Sequence, residues 1–333
     1  MTTSLRERLR RWSAPQVGPA LLNAGQRPPC PICNGSTASG LDWVVDPQTN
    51  EHFGIVTCSE CGCGITSPAP DDLEPYYGVR YYGGRHWITR RYCAWRRMRV
   101  IRQSSDGHRG GKLVDIGCGD GSFLLEARRA GWSVAGTEIN ARIPAPGLEI
   151  WGSIADLHAV GPFDCISLWH CLEHLRDPAA SIRELGELLR PGGVLVIAVP
   201  NAGGWQARLF RRNWLHLDVP RHLHHFGLRS LERLVNQCGL EVRRIWHHEV
   251  EYDWFGWIQS ALNALMPRPN ILFDLLTKRP SKAGLGLTVI NVVLAVLLLL
   301  PALLATIVST WAGQGGTIIL VAQHSSVHGQ HPC

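Results

Sequence analysis

The sequence predicts an α/β fold: a largely parallel sheet flanked by helices, with a small cysteine-bound unit in front and a hydrophobic helical insertion near the end. Three observations lead there. Beyond Lys112, short apolar runs alternate with amphipathic stretches, which is the rhythm of strand–helix units. Two Cys-x-x-Cys pairs stand before that region. A stretch with no charged residue, Gly284–Trp311, stands near the far end.

With 333 residues, 45% hydrophobic and 18% charged, the chain has room for one large domain and one or two small appendages. Its formal charge is +6, and Lys112, Lys278 and Lys282 are its only lysines, so the cations are mostly arginine. Such an excess suits phosphates, an anionic membrane surface or nucleic acid and selects none of them. Met1 to Trp12 is arginine-rich and no apolar core follows, so no signal peptide is expected. The eleven cysteines are then read in a reducing, cytoplasmic setting, where clustered thiols bind metal more often than they pair.

Taken in order, residues 1–25 read as a polar leader and 26–70 as a zinc ribbon. Cys30-Pro-Ile-Cys33 and Cys58-Ser-Glu-Cys61 are separated by 24 residues. Two thiolates at that spacing wrap one face of a tetrahedral ion, and two such knuckles close a four-sulfur structural site. Cys63 competes with Cys61 as the fourth ligand. Residues 71–108 form a lead-in. There Arg85–Arg102, with Trp87, Tyr92, Trp95 and Met98 interleaved, reads as a helix whose arginine face meets phosphates, lipid headgroups or solvent.

Residues 109–250 form the core. Lys112–Ile116 reads as a buried strand, Gly117–Gly121 as a glycine-rich turn, and Phe123–Ala130 as a helix capped by Ser122 and ended by Gly131. Strands follow at Ser133–Thr137, Glu149–Gly152 and Phe163–Trp169. Asp177-Pro178 opens a helix with Ile182, Leu185, Leu188 and Leu189 on one face. Val194–Val199 is a continuous apolar strand, Leu228–Cys238 an amphipathic helix, and Gly239–Ile245 a further strand. The glycine turn lets backbone approach a ligand closely, with a helix N-terminus aimed at it. Glu138, 23 residues after Asp115, stands where an acid accepts ribose hydroxyls. Dehydrogenases share such a loop, so the turn alone leaves that reading open.

Val114-Asp-Ile-Gly-Cys-Gly-Asp-Gly121 resembles motif I of the class I S-adenosylmethionine-dependent methyltransferases rather than the dinucleotide fingerprint. Phe163 to Pro178 resembles that family's fourth-strand segment, and Leu188 to Asn201 its fifth. Pro220-Arg-His-Leu-His-His-Phe226 is similar to the substrate-side stretch of the subgroup holding the ubiquinone-biosynthesis O-methyltransferases. The resemblance covers about 110–250 and, more faintly, 317–322. It implies a Rossmann-like methyltransferase sheet with S-adenosylmethionine as cofactor. It assigns Asp115, Gly117, Cys118, Gly119 and Gly121 to the methionine end, Glu138 to the ribose with Ile139 beside it, and Ser153 and Ile154 to the adenine. Trp169 and His170 then lie on the sulfonium side. Many relatives carry Asp where this chain has Ser153.

His170-x-x-Glu173-His174 admits three readings. With Glu173 and His174, His170 holds a divalent ion that acidifies an acceptor hydroxyl; or His170 or His174 is a general base; or the group merely braces its loop. The same spacing occurs in inverted zinc proteases, but those need one helix, and here a strand precedes and Pro178 follows. His222, His224 and His225 offer a further base near the substrate mouth, with His222 best supported by the resemblance, or an incidental surface cluster.

Residues 251–315 form the insertion. Val292–Leu300 is unbroken apolar sequence, and Pro301 is expected to kink the stretch into a re-entrant or surface-lying hairpin, since two full crossings need about 40 residues. Trp254, Phe255 and Trp257, then Lys278, Arg279 and Lys282, supply interfacial aromatics and cations. A buried cap over the cleft or a dimer interface is the alternative. Residues 316–333 hold the last strand and a tail. The expected acceptor is a small or lipid-linked metabolite methylated on oxygen, at the inner face of a membrane. Nucleic acid is disfavoured, because the segment after the fourth strand is Leu-Trp-His-Cys and no basic stripe covers the core. A cofactor-binding protein without turnover is a further alternative.

Overall fold

The computed structural model describes residues 27–77, 87–104, 110–139, 147–279 and 283–325. The expected leader 1–25, Arg85, Lys282 and the tail beyond 325 lie outside them. A sheet of four strands comes first: β1 (Thr37–Val45), β2 (His52–Cys58) and β3 (Gly64–Ser67), joined antiparallel, with a fourth member from far along the chain, β9 (His224–His225).

Helix α1 (Trp87–Ser104) leads to the main sheet. Its strands are β4 (Gly111–Ile116), β5 (Trp132–Thr137), β6 (Glu149–Trp151), β7 (Phe163–Trp169), β8 (Leu189–Pro200), β10 (Leu240–Trp246) and β11 (Thr317–His324). In space they run β10-β11-β8-β7-β4-β5-β6. The pairs from β8 to β6 are parallel, while β11 lies antiparallel between β8 and β10. The order reverses direction between β4 and β7, which opens a crevice at their carboxyl ends.

Two apolar layers cover the sheet. Helix α2 (Ser122–Arg129) and α1 pack Met98, Ile101, Phe123 and Leu124 on one face. On the other face α3 (Pro178–Glu187) and α5 (Leu228–Gln237) contribute Ile182, Leu185, Leu231 and Leu234. Asp177 caps α3 as expected, accepting the Ala180 N–H at 2.8 Å. The cysteine unit is no separate bead: Cys30, Ile32, Cys58, Cys61 and Ile65 belong to that same second layer.

A buried ion pair fastens the β1–β2 turn to the loop that precedes β9. Arg221, 1% exposed, donates through Nη2 to Asp46 of the β1–β2 turn at 2.9 Å and to Asp218 at 2.7 Å. Asp46 is wholly buried. Removing one partner of such a pair strands the other charge, at a cost of about 3–5 kcal/mol. Thermal or denaturant unfolding of Arg221→Met should therefore show a loss of that order; unchanged stability would mean the pair does not fasten these segments.

The insertion comprises α6 (Val250–Leu265), α7 (Ile271–Leu276) and α8 (Leu285–Trp311), and α4 (Trp205–Phe210) packs beside α6. The expected break at Pro301 does not occur. One 27-residue helix runs through it, because the exposed proline removes only its own N–H while Ala302 and its neighbours stay packed on Ile258, Leu262 and Leu272.

Candidate active site

The glycine turn lies at the carboxyl end of β4. Gly117 and Gly119 have φ of 69° and 57°, left-handed values that cost an L-residue about 1–2 kcal/mol. A Cβ on Gly117 would meet Cys171 Sγ at 2.7 Å, whereas one on Gly119 would meet nothing within 4 Å. The space above Gly119 is thus open to a ligand. The turn is stitched down: Cys118 N donates to Thr137 O at 2.9 Å, and Gly119 N to Glu138 Oε2 at 2.9 Å. Glu138 stands at the tip of β5 and Ile139, 85% exposed, beside it.

Two expectations need correction here. Ser122 is the first residue of α2, not its cap; Gly121 holds the cap position, and the Asp120 carboxylate accepts the Ser122 N–H at 3.0 Å. Asp115 does not face the opening. It is buried beneath the turn, where Ser167 Oγ donates to it at 2.7 Å. Burial pushes its pKa up to about 7, against the pull of Arg97.

Ser153 and Ile154 follow β6. The Ser153 hydroxyl and N–H both donate to Asp156 Oδ2, at 2.8 and 3.0 Å. A carboxylate therefore stands next to the position where an Asp was expected, supplied three residues later. Its sequence signal is the Ser-x-x-Asp capping pattern.

Arginines of α1 close over this end of the sheet, so the expectation of an outward, headgroup-facing arginine surface does not hold for them. Arg90 pairs with Asp120 at 3.4 Å, and the Arg96 and Arg97 guanidinium groups lie 5.6 and 5.1 Å from the Trp169 ring centre. Trp169 itself is buried against Phe123.

Across the crevice, the loop after β7 carries the histidines. His170 has φ of 54°, and its ring turns toward α6, where Nε2 contacts Glu249 while Arg96 contacts the other oxygen of that carboxylate. His170 Nδ1 stands 3.7 Å from Glu173 Oε1. The ligand-like trio is consequently not His170, Glu173 and His174. The donor atoms that approach within 4.8 Å of one another belong to Glu173, His174 and His222, because Glu249 draws His170 aside.

The trio is built from acceptors. His222 Nδ1 is 2.8 Å from the His216 carbonyl, and His174 Nδ1 is 3.0 Å from the Arg221 carbonyl and 2.8 Å from the Tyr77 hydroxyl. A carbonyl only accepts, so His222 Nδ1 carries the hydrogen and its Nε2 keeps the lone pair, whereas His174 Nδ1 sits between a carbonyl and a hydroxyl that can donate. Both Glu173 oxygens are buried without a hydrogen-bond donor. Burial opposes the charge of Glu173, yet the His170 ring, its Nδ1 3.7 Å away, heads the interactions that hold its pKa down at about 2. Burial lowers His222 to about 4, so that ring is neutral at pH 7. An imidazole anchored through Nδ1–H, with a second imidazole and an orphan carboxylate oxygen within 4.8 Å, is the donor arrangement of a divalent-cation site.

The histidines of 222–225 are not a surface cluster. His222, His224 and His225 are all buried, and the segment is tied to β3: Thr66 Oγ1 donates to the His222 carbonyl at 2.6 Å and lies 3.0 Å from His225 Nε2. Sequence reasoning missed Glu249, Tyr77 and Asp46. Glu249 reads only as an acid before an apolar helix and Asp46 only as a turn residue; nothing local marks Tyr77.

In the ribbon, Cys30 and Cys61 Sγ are 3.6 Å apart, Cys33 and Cys58 Sγ 3.5 Å, and all four atoms lie within 4.8 Å of one another. Backbone N–H groups of Ile32 and Cys61 point at Cys30 and Cys58 Sγ. Four converging, largely buried thiols fit a closed zinc site. Cys63 is not the fourth ligand; its thiol turns to the Gly64 carbonyl at 3.4 Å.

Residues 85–245 match a family described as a methyltransferase domain. The ubiquinone biosynthesis O-methyltransferase of Pectobacterium atrosepticum is 28% identical over 144 residues, covering 38% of this chain and 59% of that one. That of Escherichia coli O157:H7 is 26% identical over 168 residues, covering 45% and 70%. The chain thus spans little more than half the length of the first of these relatives. A solved methyltransferase from Archaeoglobus fulgidus overlays with a TM-score of 0.42 at 19% identity, over 75% of this chain and 99% of that one, a likeness too loose to carry any residue across.

Proposed function

Because residues 85–245 place this chain among the class I S-adenosylmethionine-dependent methyltransferases, we propose that it transfers a methyl group to an oxygen of a small or lipid-linked acceptor. One observation carries the reading: neighbouring parallel strands β4 and β7 bring a glycine turn open to a ligand, with a carboxylate on its rim, and the cluster of Glu173, His174 and His222 to the same end of the sheet.

S-adenosylmethionine, when bound, supplies a methyl carbon made electrophilic by its sulfonium. The chain's own part is to position and to move a proton. Gly117, Cys118, Gly119 and Gly121 offer backbone to the methionine end, with Asp115 bracing them from below. Glu138 accepts from the ribose hydroxyls with Ile139 alongside, and Ser153 and Ile154, joined by Asp156, line the adenine. Trp169 and His170 close the sulfonium side. His222 Nε2, or His174 Nε2, takes the acceptor's hydroxyl proton, and Glu173 stabilises the imidazolium formed. A divalent ion held by Glu173, His174 and His222 would add Lewis acidity toward that hydroxyl. Zinc held by Cys30, Cys33, Cys58 and Cys61 would keep the ribbon folded against the wall formed by 220–226.

A lipid-linked acceptor and a place at the cytoplasmic face of a membrane are supported by α8, a 27-residue apolar helix in which an 18-residue stretch has mean hydropathy 2.8 and is little buried. Incubating the purified chain with methyl-labelled cofactor and a membrane-lipid extract should yield a labelled, organic-soluble product. Glu173→Gln should lower kcat by about 10²-fold or more while the cofactor Kd stays put. Equal turnover by that variant would remove the cluster from the mechanism, and label appearing only in RNA would overturn the acceptor class.

A further inference from the structure

Helix α8 is built inside out. Of its 27 residues, the buried ones are Asn291, Ala302, Thr306 and Ser309, so three of four carry polar side chains. Every side chain exposed between Leu285 and Trp311 is apolar. In a water-soluble domain the order is the reverse: the apolar stripe packs inward and polar groups face out. The seam against α6 and α7 sets Ala302 among Ile258, Leu262 and Leu272 and adds the half-buried Leu294, Ala295 and Leu298, while its fully buried members are small or polar. Small, hydroxylated seams with Leu, Ile and Val outside are how helices pack when their surroundings are hydrocarbon.

The exposed side is not a local patch. Val293, Val296, Leu297, Leu300, Leu304 and Ile307 follow one another along it, Val296 being 68% exposed, and Trp311 at the end is 92% exposed. At about 1.5 Å per residue the helix is roughly 40 Å long, more than the hydrocarbon thickness of a bilayer. Cations flank it. Arg208, Arg211 and Arg212 are exposed on and after α4, whose first residue donates its N–H to Gln314 O just past the end of α8, at 3.1 Å. Lys278 is exposed after α7, in the connection that enters α8.

We propose that the outward face of α8 is immersed in the hydrocarbon of a bilayer whose headgroups are anionic, with Arg208, Arg211, Arg212 and Lys278 at the phosphates. This deepens the membrane reading above, rests on it, and is independent of methyl transfer. A second copy of the chain is the competing occupant, but a protein interface carries hydrogen-bonding groups across it, and every exposed side chain from Val289 to Val308 is aliphatic, with Thr288 and the Trp311 indole only at the two ends.

The test uses the full-length chain with phosphatidylcholine vesicles, with and without one-third phosphatidylglycerol, read by flotation. Native protein should float with both and bind the anionic vesicles more tightly. Val296→Glu combined with Leu300→Glu, outward positions whose change spares the seam, should weaken binding on the order of a hundred-fold. Arg211→Ser with Arg212→Ser should cost about ten- to thirty-fold on anionic vesicles and nothing on neutral ones. All variants should keep the native cofactor affinity by calorimetry, which separates failure of docking from failure of the methyltransferase reading. A monodisperse, detergent-free native chain that does not float overturns the proposal. So does a dimer in solution that the Val296→Glu, Leu300→Glu variant dissolves into monomers, which would assign the face to a second copy.

Discussion

Glu138→Ala leaves the chain folded and weakens S-adenosylmethionine binding by about 10²-fold or more. The carboxylate stands at the tip of β5 with Oε2 on the Gly119 N–H, the place where an acid after the second strand accepts ribose hydroxyls. Each hydrogen bond to a charged group contributes about 1.5–3 kcal/mol, and alanine removes two such bonds and also frees the turn that must cradle the ligand. Glu138→Gln keeps the shape and loses the charge, and should fall between native and alanine. Isothermal calorimetry reads the affinity, and the melting temperature without ligand reports whether the fold survived. Native affinity in both variants would refute the sugar-binding role.

Zinc removal is expected to have the largest effect on stability. Cys61→Ala should abolish bound zinc and make the chain unfold at much lower temperature or aggregate. A structural zinc contributes on the order of 10 kcal/mol in isolated fingers, comparable with the roughly 5–15 kcal/mol that holds a whole domain together. The damage would not stop at the ribbon, because Cys30, Cys58, Cys61 and Ile65 share one apolar layer with α3 and α5. Cofactor affinity should therefore fall as well. Cys63→Ala, changing a buried thiol that points away from the cluster, should keep full zinc stoichiometry and lose only a little stability. A purified chain free of metal, or a Cys61→Ala variant with the native melting temperature, would contradict the structural zinc.

What the sequence disclosed and what it hid divide along physical lines. Strands β4, β5, β7 and β8, the glycine turn and the Asp177-Pro178 start of α3 were legible because each rests on contiguous residues: an apolar run, a turn that only glycine tolerates, a cap. The four-thiol cluster was legible because each knuckle's spacing is itself geometric. The partners of His170 were not, because Glu249 reaches it across 79 residues while Arg96 holds the other oxygen of that carboxylate. The same holds for Arg221 with Asp46, 175 residues apart, and for Tyr77 with His174. The exposure of 222–225 was misjudged for a related reason: histidine is at home on surfaces, and only the addition of β9 to the β1–β3 sheet puts these rings indoors. Pro301 misled because a local rule was applied to a helix secured by its neighbours.

The position of β11 has a consequence for how the protein is made. Strand β11, the last along the described residues, occupies an inner place in the sheet, between β8 and β10. Until residues 317–324 arrive, both of those strands keep an open hydrogen-bonding edge, and β10 has no partner at all in the sheet. Helix α8 emerges before them. The hydrocarbon-like segment is thus available to its surroundings while the catalytic half is still unfinished, and the crevice at the β4–β7 junction acquires its full support only after that segment has found its place.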